Sequence, residues 1–306
     1  MTNAPARGGP PPWINPAMQA NIVWRNGDIV IAVPPKSGTT WTMNIVYQLL
    51  TGGHADFADI YAEVPWLEFV TRPGMPVAEL LTRLERMPGT RPRAFKTHSA
   101  PPTLPYQALP SGVRYVVVMR DPEEALASMR PFMAQHRDAL LNAWGIPRAA
   151  IGFPDFGSYY DGFVETSGIH FGLFAFLAAW WPLRHAENVL FIHFNDMQRD
   201  LRASVERIAN FIGVAPKAEQ WPAILEYTSF AWMKQHDIKF DGLSAEIPPI
   251  RPGAMVRRGQ AGAAQEEGVT AEFAARIRAV GNRVCQEQAA LHWFYAGGDI
   301  RKATPT

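Results

Sequence analysis

The chain has 306 residues, of which 47% are hydrophobic, and its 29 basic and 28 acidic residues leave a formal net charge of +1. A nearly neutral chain with no large Lys/Arg cluster lacks the positive field that attracts nucleic acid, so nucleic acid is excluded as an expected partner. The single cysteine, Cys285, excludes an intrachain disulfide and a cysteine metal site, and its apolar helical surroundings predict a buried thiol.

The N-terminus is rich in Pro and Gly and lacks the basic and then apolar pattern of a signal peptide. We therefore expect residues 1–18 to be a disordered lead-in and residues 19–306 to form one domain. The strongest apolar run, 171–181, has 11 residues, fewer than the roughly 20 that a membrane span needs. These features predict a cytoplasmic protein that is not bound to a membrane.

Short β-branched runs alternate with longer helical patterns along the chain, which is typical of βαβ units and a parallel sheet. The third run is expected to be central, because residues 116–119 include no polar side chain. We predict an α/β fold, a single domain with a central parallel sheet flanked by helices. The predicted strands are 28–33, 94–97, 114–119 and 189–192.

Helices are predicted between and after these strands. One helix follows the first strand and includes Trp41 on its apolar face. A second begins after the third strand, with Asp121 as its N-cap and Pro122 as its first residue. Apolar positions at helical spacing predict two more helices, at 201–212, where a glycine follows, and at 273–284.

Two segments, 137–168 and 235–268, have weak periodicity and are rich in Gly, Pro and charge. We expect irregular loops there, near the entrance to a substrate site, because long irregular segments of compact enzymes often act as lids. For the first segment, a surface excursion without a function is an equally open interpretation.

The segment 34–40 follows the first strand and opens a helix, so its backbone N–H groups and the helix dipole predict an anion site. Lys36 adds a positive charge to this site. A nucleotide-hydrolysing P-loop needs a glycine where Val33 stands and a lysine where Thr39 stands. The loop therefore favours one 5′-phosphate-like group over a Mg²⁺-bound pair of phosphates.

The motif Pro-Lys-Ser-Gly-Thr-Thr-Trp at 35–41 resembles the 5′-phosphosulfate loop of the cytosolic sulfotransferases, which use 3′-phosphoadenosine 5′-phosphosulfate (PAPS). Further segments resemble motifs of that family in the family's order, over about residues 20–265. They are Lys-Thr-His at 96–98, the segment 120–128, Thr-Ser-Phe at 228–230 with Met-Lys at 233–234, and Arg-Arg-Gly at 257–259. The resemblance implies the α/β sulfotransferase fold, related to that of P-loop kinases.

The resemblance also implies a complete site for the donor PAPS and its product, adenosine 3′,5′-bisphosphate (PAP). The 5′ end would contact Lys36, Ser37, Gly38, Thr39 and Thr40. The 3′-phosphate would contact Arg120, Ser128, Arg257, Arg258 and Gly259. The adenine would lie near Trp41, Phe194, Thr228, Phe230 and Met233. Core packing is an open alternative for Trp41 and Phe230, and a surface ion pair with Asp121 is one for Arg120.

The chain departs from the family pattern in two places. Phe194 stands where the family has a tyrosine, which removes one hydrogen bond worth about 1 kcal/mol from the donor site. Residues 262–265 replace the family's Gly-Asp-Trp-Lys, so the way in which the C-terminal cap orders over the donor stays open.

His98 is the expected general base, because an imidazole with a pKa of about 6.5 titrates near working pH. Strand alternation places His98 and Lys96 on the same side of the sheet. Lys36 would stabilise charge on the oxygen that leaves, and Lys96 would hold the sulfuryl oxygens or the 5′-phosphate. A solvated lysine is the alternative for each. No His/Asp/Glu cluster has the spacing of metal ligands, so no metal is expected.

Trp66, Phe69 and Phe132 occupy positions where the family lines its acceptor pocket, with His98 at its end; core packing is the alternative for each. The predicted function is transfer of a sulfuryl group from PAPS to a hydroxyl, or an amine, of a small aromatic or hydrophobic acceptor. A small-molecule or nucleoside kinase and a non-catalytic PAP-binding protein remain as alternatives, and the oligomeric state stays open.

Overall fold

The computed structural model describes residues 11–259 and 262–300. Its centre is a four-stranded parallel sheet with the strand order β2-β1-β3-β4, which confirms the predicted α/β fold and the interior place of the third strand. The strands are β1 Ile29–Ala32, β2 Ala94–Thr97, β3 Arg114–Met119 and β4 Val189–His193.

Alternate residues of the strands belong to two different hydrophobic clusters. Val30 and Val117 lie in one cluster, while Ile31 and Val116 lie in the other, and all four side chains are fully buried. Helices cover both faces of the sheet, so both sides of each strand are apolar, as is usual in parallel sheets. This packing explains why the strands appear as continuous apolar runs in the sequence.

Helices fill most of the remaining chain. The α-helices of the first half are α1 Thr39–Thr51, α2 Ile60–Glu63, α3 Val77–Glu85, α4 Pro122–Met133 and α5 Asp138–Ala143. Those of the second half are α6 Phe156–Tyr159, α7 Glu165–Ser167, α8 Ile169–Trp180, α9 Phe194–Arg199, α10 Leu201–Ile212, α11 Trp221–Thr228, α12 Phe230–Gln235, α13 Ala271–Val284 and α14 Gln288–Ala296.

The predicted helix ends agree with the structure. The Asp121 side chain accepts hydrogen bonds from the backbone N–H groups of Glu123 and Glu124, and Pro122 is the first residue of α4. Helix α10 ends at Gly213, which has the left-handed conformation (φ 75°) that glycine adopts without strain.

The expectation of a disordered lead-in is wrong for residues 11–18, while residues 1–10 lie outside the described residues. A 3₁₀ helix spans Pro16–Asn21 and buries Met18 and Gln19. Before it, the Trp13 carbonyl accepts a hydrogen bond of 2.8 Å from the N–H of Val70. These contacts lie far apart in sequence, so a reading of local composition misses them.

The segment 137–168 is also more regular than expected. It contains α5, α6 and α7 and a π-helical turn at Tyr160–Val164, and the aromatic residues Phe156, Tyr159 and Tyr160 are buried. Burial of these rings stabilises short helices that the intervening Gly and Asp residues disguise in the sequence. The segment 235–268, by contrast, is largely irregular after the 3₁₀ helix Asp237–Phe240, as far as it is described.

In the described part of the chain no single helix has the length and apolar character for a membrane crossing. One bent pair, Phe156–Ser167 with Ile169–Leu183, meets the length and composition test together, with 56° between its two helices. Cys285 follows α13 and is buried, as the sequence predicts, and burial raises the pKa of its thiol.

Candidate active site

The loops that follow β1, β2 and β3 border one cavity of about 1390 Å³. Ligands of parallel α/β proteins bind at this carboxyl edge of the sheet. The predicted site residues that line the cavity are Lys36, Gly38, Thr39, Thr40, Trp41, Trp66, Phe69, Lys96, His98, Arg120, Ser128, Phe132, Phe194, Phe230, Met233, Arg257, Arg258 and Gly259.

Two predicted donor residues, Ser37 and Thr228, are fully buried and are not among the residues that line the cavity. The Ser37 hydroxyl lies 3.5 Å from the carbonyl of Pro35, and the Thr228 hydroxyl donates a 2.7 Å hydrogen bond to the carbonyl of Ile224. The backbone of Thr228, by contrast, holds the Trp41 ring in place, because the Thr228 carbonyl accepts a 2.8 Å hydrogen bond from the indole N–H of Trp41.

The loop before α1 combines close packing with a buried hydroxyl that has no partner. Gly38 is the N-cap of α1 and makes no side-chain cap hydrogen bond with the first helical N–H groups. A Cβ on Gly38 would lie 2.8 Å from a ring carbon of Phe194, so only glycine fits there. The Thr39 hydroxyl is buried without a hydrogen-bond partner. A buried hydroxyl left in this way is costly, which fits a site that an anionic ligand completes.

Lys36 is the one non-glycine residue with a positive φ, 63°, in the described ranges. Such backbone strain is concentrated at binding and active sites. Burial, followed by the positive charges of Arg120 and Arg257, lowers the pKa of Lys36 to about 7. Its Nζ atom lies 3.8 Å from the centre of the Phe132 ring. A nearby anion would restore the full charge of this lysine.

His98 is fixed by both of its ring nitrogens. Its Nδ1 atom lies 2.5 Å from the carbonyl oxygen of Val33, and its Nε2 atom lies 2.8 Å from the Nζ atom of Lys96. A carbonyl can only accept, so Nδ1 carries the hydrogen and Nε2 is the acceptor. Burial and the Lys96 charge hold the pKa of His98 well below its usual value, although the Val33 hydrogen bond opposes them. The histidine is therefore neutral at pH 7, the form that a general base requires.

Lys96 is buried between aromatic rings. Its Nζ atom lies 3.2 Å from the centre of the Trp66 ring and 6.0 Å from that of Tyr61. Burial lowers the pKa of Lys96 well below its usual value, and Lys36 adds to this effect, while the charge of Glu68 acts in the opposite direction.

Glu68 is a site residue that the sequence interpretation missed. Its carboxylate is buried and accepts hydrogen bonds from the Thr97 hydroxyl (3.0 Å) and from the backbone N–H of His98 (2.7 Å). The available signal was a single acidic residue inside the apolar run 64–69, because carboxylates are rarely buried without a specific role.

Carboxylates hold the arginines that the sequence predicts for a 3′-phosphate. Arg120 pairs with Glu124 at 2.9 Å; Asp121, its expected alternative partner, caps α4 instead. Arg257 and Arg258 lie 2.5 Å and 3.5 Å from the same oxygen of Glu267.

The second Glu267 oxygen lies 3.2 Å from Arg130, a residue that the sequence interpretation did not include. Glu124 also accepts a 3.0 Å hydrogen bond from the backbone N–H of Ala264, so it joins Arg120 to the segment that replaces the family's Gly-Asp-Trp-Lys.

The residues predicted around adenine form a continuous group. Trp41 packs edge-on against Phe194, with ring centres 5.6 Å apart, and the Phe194 ring lies 4.6 Å from the Arg120 guanidinium. Phe230 is 40% exposed, so it is available to a flat ligand. Gly259 has φ 61°, and a Cβ there would lie 2.2 Å from the Phe230 ring, so the predicted 3′-phosphate and adenine sites touch at this glycine.

The other end of the cavity is aromatic. Trp66 and Phe69 stack with ring centres 5.1 Å apart, and Trp66 meets the His98 ring edge-on at 4.8 Å. Beyond them the cavity reaches Trp13 of the N-terminal segment and Trp144 of the segment 137–168. The aromatic part of the cavity lining therefore includes the predicted Trp66 and Phe69 and also Trp13 and Trp144, which the sequence analysis does not predict.

The described residues include no group of three or more His, Cys, Asp or Glu side chains arranged to hold a metal ion. The fold and the site together define a parallel α/β protein in which the loop between β1 and α1 and a neutral histidine border one cavity. Residues 26–291 match the family model of the sulfotransferase domain, and the chain belongs to that family.

Curated relatives and solved structures agree with this assignment. The chain is 29% identical over 242 residues to sulfotransferase 1A1 of Rattus norvegicus, covering 77% of each protein. It is 29% identical over 271 residues to sulfotransferase 1A1 of Canis lupus familiaris, covering 83% of this chain and 84% of the relative.

The fold is similar to that of mouse sulfotransferase SULT7A1 complexed with PAP, with a TM-score of 0.66, 18% identity and 90% coverage of each chain. It is also similar to retinol dehydratase in complex with androsterone and the inactive cofactor PAP, with a TM-score of 0.69 and 20% identity, covering 87% of this chain and 82% of that one.

Proposed function

We propose that this sulfotransferase moves a sulfuryl group from PAPS to the hydroxyl, or amine, of a small aromatic or hydrophobic acceptor, with His98 as general base. The observation that carries the proposal is that the loop around Lys36 and the side chain of His98 border the same cavity. A volume of about 1390 Å³ is more than one small ligand fills, which supports binding of a donor and an acceptor side by side.

The residues present fit the donor. The buried hydroxyl of Thr39 lacks a partner, and the low pKa of Lys36 reflects burial and, after it, the positive charges of Arg120 and Arg257, which an anion would neutralise. Lys36, Gly38, Thr39 and Thr40 would hold the 5′ end. Arg120, Ser128, Arg257, Arg258 and Gly259 would hold the 3′-phosphate, and Trp41, Phe194, Phe230 and Met233 would surround the adenine. The two similar structures that contain PAP support the same ligand here.

The chemistry assigns one task to each side chain. The acceptor oxygen forms a bond to sulfur while the bond from sulfur to the 5′-phosphate oxygen breaks, and the acceptor proton passes to Nε2 of His98. Lys36 stabilises the negative charge on the departing oxygen. Lys96 donates to Nε2 of His98 in the structure, so it must leave that nitrogen before the proton arrives. We assign the sulfuryl oxygens as the new partner of Lys96.

Binding calorimetry tests the donor assignment. PAP, 5′-AMP and ATP are titrated in EDTA, and then ATP again with Mg²⁺. We expect PAP to bind most tightly without metal, because only PAP fills the 3′-phosphate site. A preference for ATP that depends on Mg²⁺ would favour the kinase alternative.

Turnover with PAPS and a panel of phenols, aliphatic alcohols and aromatic amines then identifies the acceptor. Tight PAP binding without turnover on any acceptor would favour the non-catalytic alternative. The cytoplasmic location stays a prediction.

A further inference from the structure

The carboxylate of Glu68 lies directly behind the turn that carries His98. Residues 65–67 run beside β2, because the N–H of Lys96 donates to the Pro65 carbonyl (2.9 Å) and the N–H of Leu67 donates to the Lys96 carbonyl (3.0 Å). Glu68 therefore arrives at the carboxyl end of β2, where one of its oxygens accepts the backbone N–H of His98 at 2.7 Å.

Gln19, from the N-terminal segment, contacts both Glu68 and Thr97. Its amide nitrogen donates 2.9 Å hydrogen bonds to the second carboxylate oxygen of Glu68 and to the hydroxyl oxygen of Thr97. The Thr97 hydroxyl in turn donates to Glu68 at 3.0 Å and accepts the N–H of Ser99 at 2.9 Å. Gln19, Glu68 and Thr97 are each at most 1% exposed, so the network is almost entirely buried, with Glu68 bordering the cavity.

A buried carboxylate surrounded by neutral donors is costly, and a neutral side chain would fill the same space at a lower cost. The negative charge of Glu68 acts on Lys96, which lies next to His98. Lys96 is the hydrogen-bond partner of His98, and the negative charge of Glu68 opposes the lowering of the Lys96 pKa by burial. A purely structural role in the core would not require this charge.

We propose that Glu68 is a positioning residue for His98 and Lys96, and that Gln19 holds it in place. The carboxylate fixes the turn after β2 by binding the backbone N–H of His98, and it balances the charge of Lys96. The N-terminal segment thereby becomes part of the active site, since it supplies the amide behind the base as well as Trp13 and Ile14 in the cavity wall. The inference rests on the proposed function.

The test compares two variants. Glu68→Gln keeps the size of the side chain but removes its negative charge. Gln19→Ala keeps the Glu68 carboxylate but removes the amide that donates a hydrogen bond to it. The control is Asn188→Ala. Asn188 is equally buried, with hydrogen bonds of 2.9 and 3.0 Å to the Gln107 and Val113 carbonyls, and it does not line the cavity.

We expect Glu68→Gln to lower kcat about 100-fold and Gln19→Ala to lower it about 10-fold, with the donor KM and the PAP affinity unchanged, because small misplacements of a reacting group have effects of this size. The control should lose thermal stability with kcat retained. Wild-type kcat in both test variants, or a loss of kcat in the control as large as in Glu68→Gln, would overturn the proposal.

Nitrogen-15 NMR of the histidine rings gives a readout that does not need turnover. The His98 signals are assigned by their loss in His98→Ala. In the wild type they should show hydrogen on Nδ1, and Glu68→Gln should shift or broaden them, while Asn188→Ala leaves them unchanged. An unchanged His98 spectrum in Glu68→Gln would contradict the positioning role. The NMR response could also occur in a protein that transfers no sulfuryl group, whether wild type or variant. In that case the proposed function fails and the positioning role of Glu68 stands.

Discussion

The Nζ atom of Lys96 lies 2.8 Å from the Nε2 atom of His98, so the proposed base and its neighbouring cation share one hydrogen bond. Burial and, after it, the charge of Lys96 lower the pKa of His98, so the histidine is held neutral. Nε2 is thus a free base only when Lys96 turns to another partner. This exchange would link proton acceptance to the arrival of the donor's negative charge.

Replacement of His98 by Ala should lower kcat by about 10² to 10⁴, the usual contribution of a general base. PAP affinity should be retained, because His98 faces the acceptor and the bisphosphate needs the loop and the arginines. Steady-state kinetics and calorimetry measure the two effects. The matched control is His185→Ala, which removes an exposed histidine outside the cavity. Full activity in His98→Ala would remove this residue from the mechanism.

The acid limb of the kcat/KM profile, which reports the free enzyme, should lie below pH 6.5, because burial and the Lys96 charge hold the pKa of His98 well below that value. The free energy of unfolding should also decrease as the pH falls. The folded protein keeps His98 neutral while the unfolded chain takes up a proton near pH 6.5, so the contribution is lost as pH falls below about 6.5. Rate and melting profiles from pH 5 to 8 check both points. An acid limb above pH 6.5 would contradict the neutral-base assignment.

Binding of PAP at pH 8 should take up close to one proton, because Lys36 has a pKa of about 7 without the ligand and an anion raises it. At pH 8 the phosphates of PAP are already fully ionised, so they contribute little. Calorimetry in buffers of different ionisation enthalpy measures the uptake. Lys36→Arg is the control, since an arginine stays charged and should take up no proton. Absence of uptake in the wild type would show that Lys36 does not contact the anion.

Replacement of Glu267 by Gln should tighten PAP binding about fivefold, relative to 5′-AMP. The change removes a negative charge that competes with the 3′-phosphate for Arg257 and Arg258, an effect of about 1 kcal/mol. The control is Glu266→Gln, which removes the neighbouring carboxylate whose side chain is 71% exposed. Weaker PAP binding in Glu267→Gln would show that Glu267 orients the arginines rather than competing for them.

Phe69→Ala should raise the acceptor KM about tenfold with kcat retained, because Phe69 lines the cavity and stacks on Trp66. Trp66→Ala should raise the acceptor KM and also lower kcat, since the Trp66 ring lies 3.2 Å from the Lys96 ammonium. Kinetics with one phenolic acceptor separate the two variants. Identical effects of both variants would indicate that the pair only supports the core.

Local sequence patterns predict those parts of the fold that local physics determines. The bounds of β2 and β3 follow from short apolar runs, and the start of α4 follows from Asp121 and Pro122. The expected site residues near the strand ends follow for the same reason, because they lie at or shortly after the ends of strands that the sequence reveals.

The rest depends on contacts between distant residues. Gln19 meets Glu68 across 49 positions, and Arg130 meets Glu267 across 137. Neither pair leaves a periodic signal, so local sequence patterns predict a disordered lead-in at the N-terminus and do not reveal the carboxylates among the arginines.

Burial of Cys285 has a practical consequence. With its only native thiol shielded, the protein should accept two cysteines placed together at the exposed Thr166 and Ser244, both in the lining of the cavity, as its only reactive thiols. Dyes attached at these two positions would report, by energy transfer, whether the cavity narrows when nucleotide and acceptor enter together.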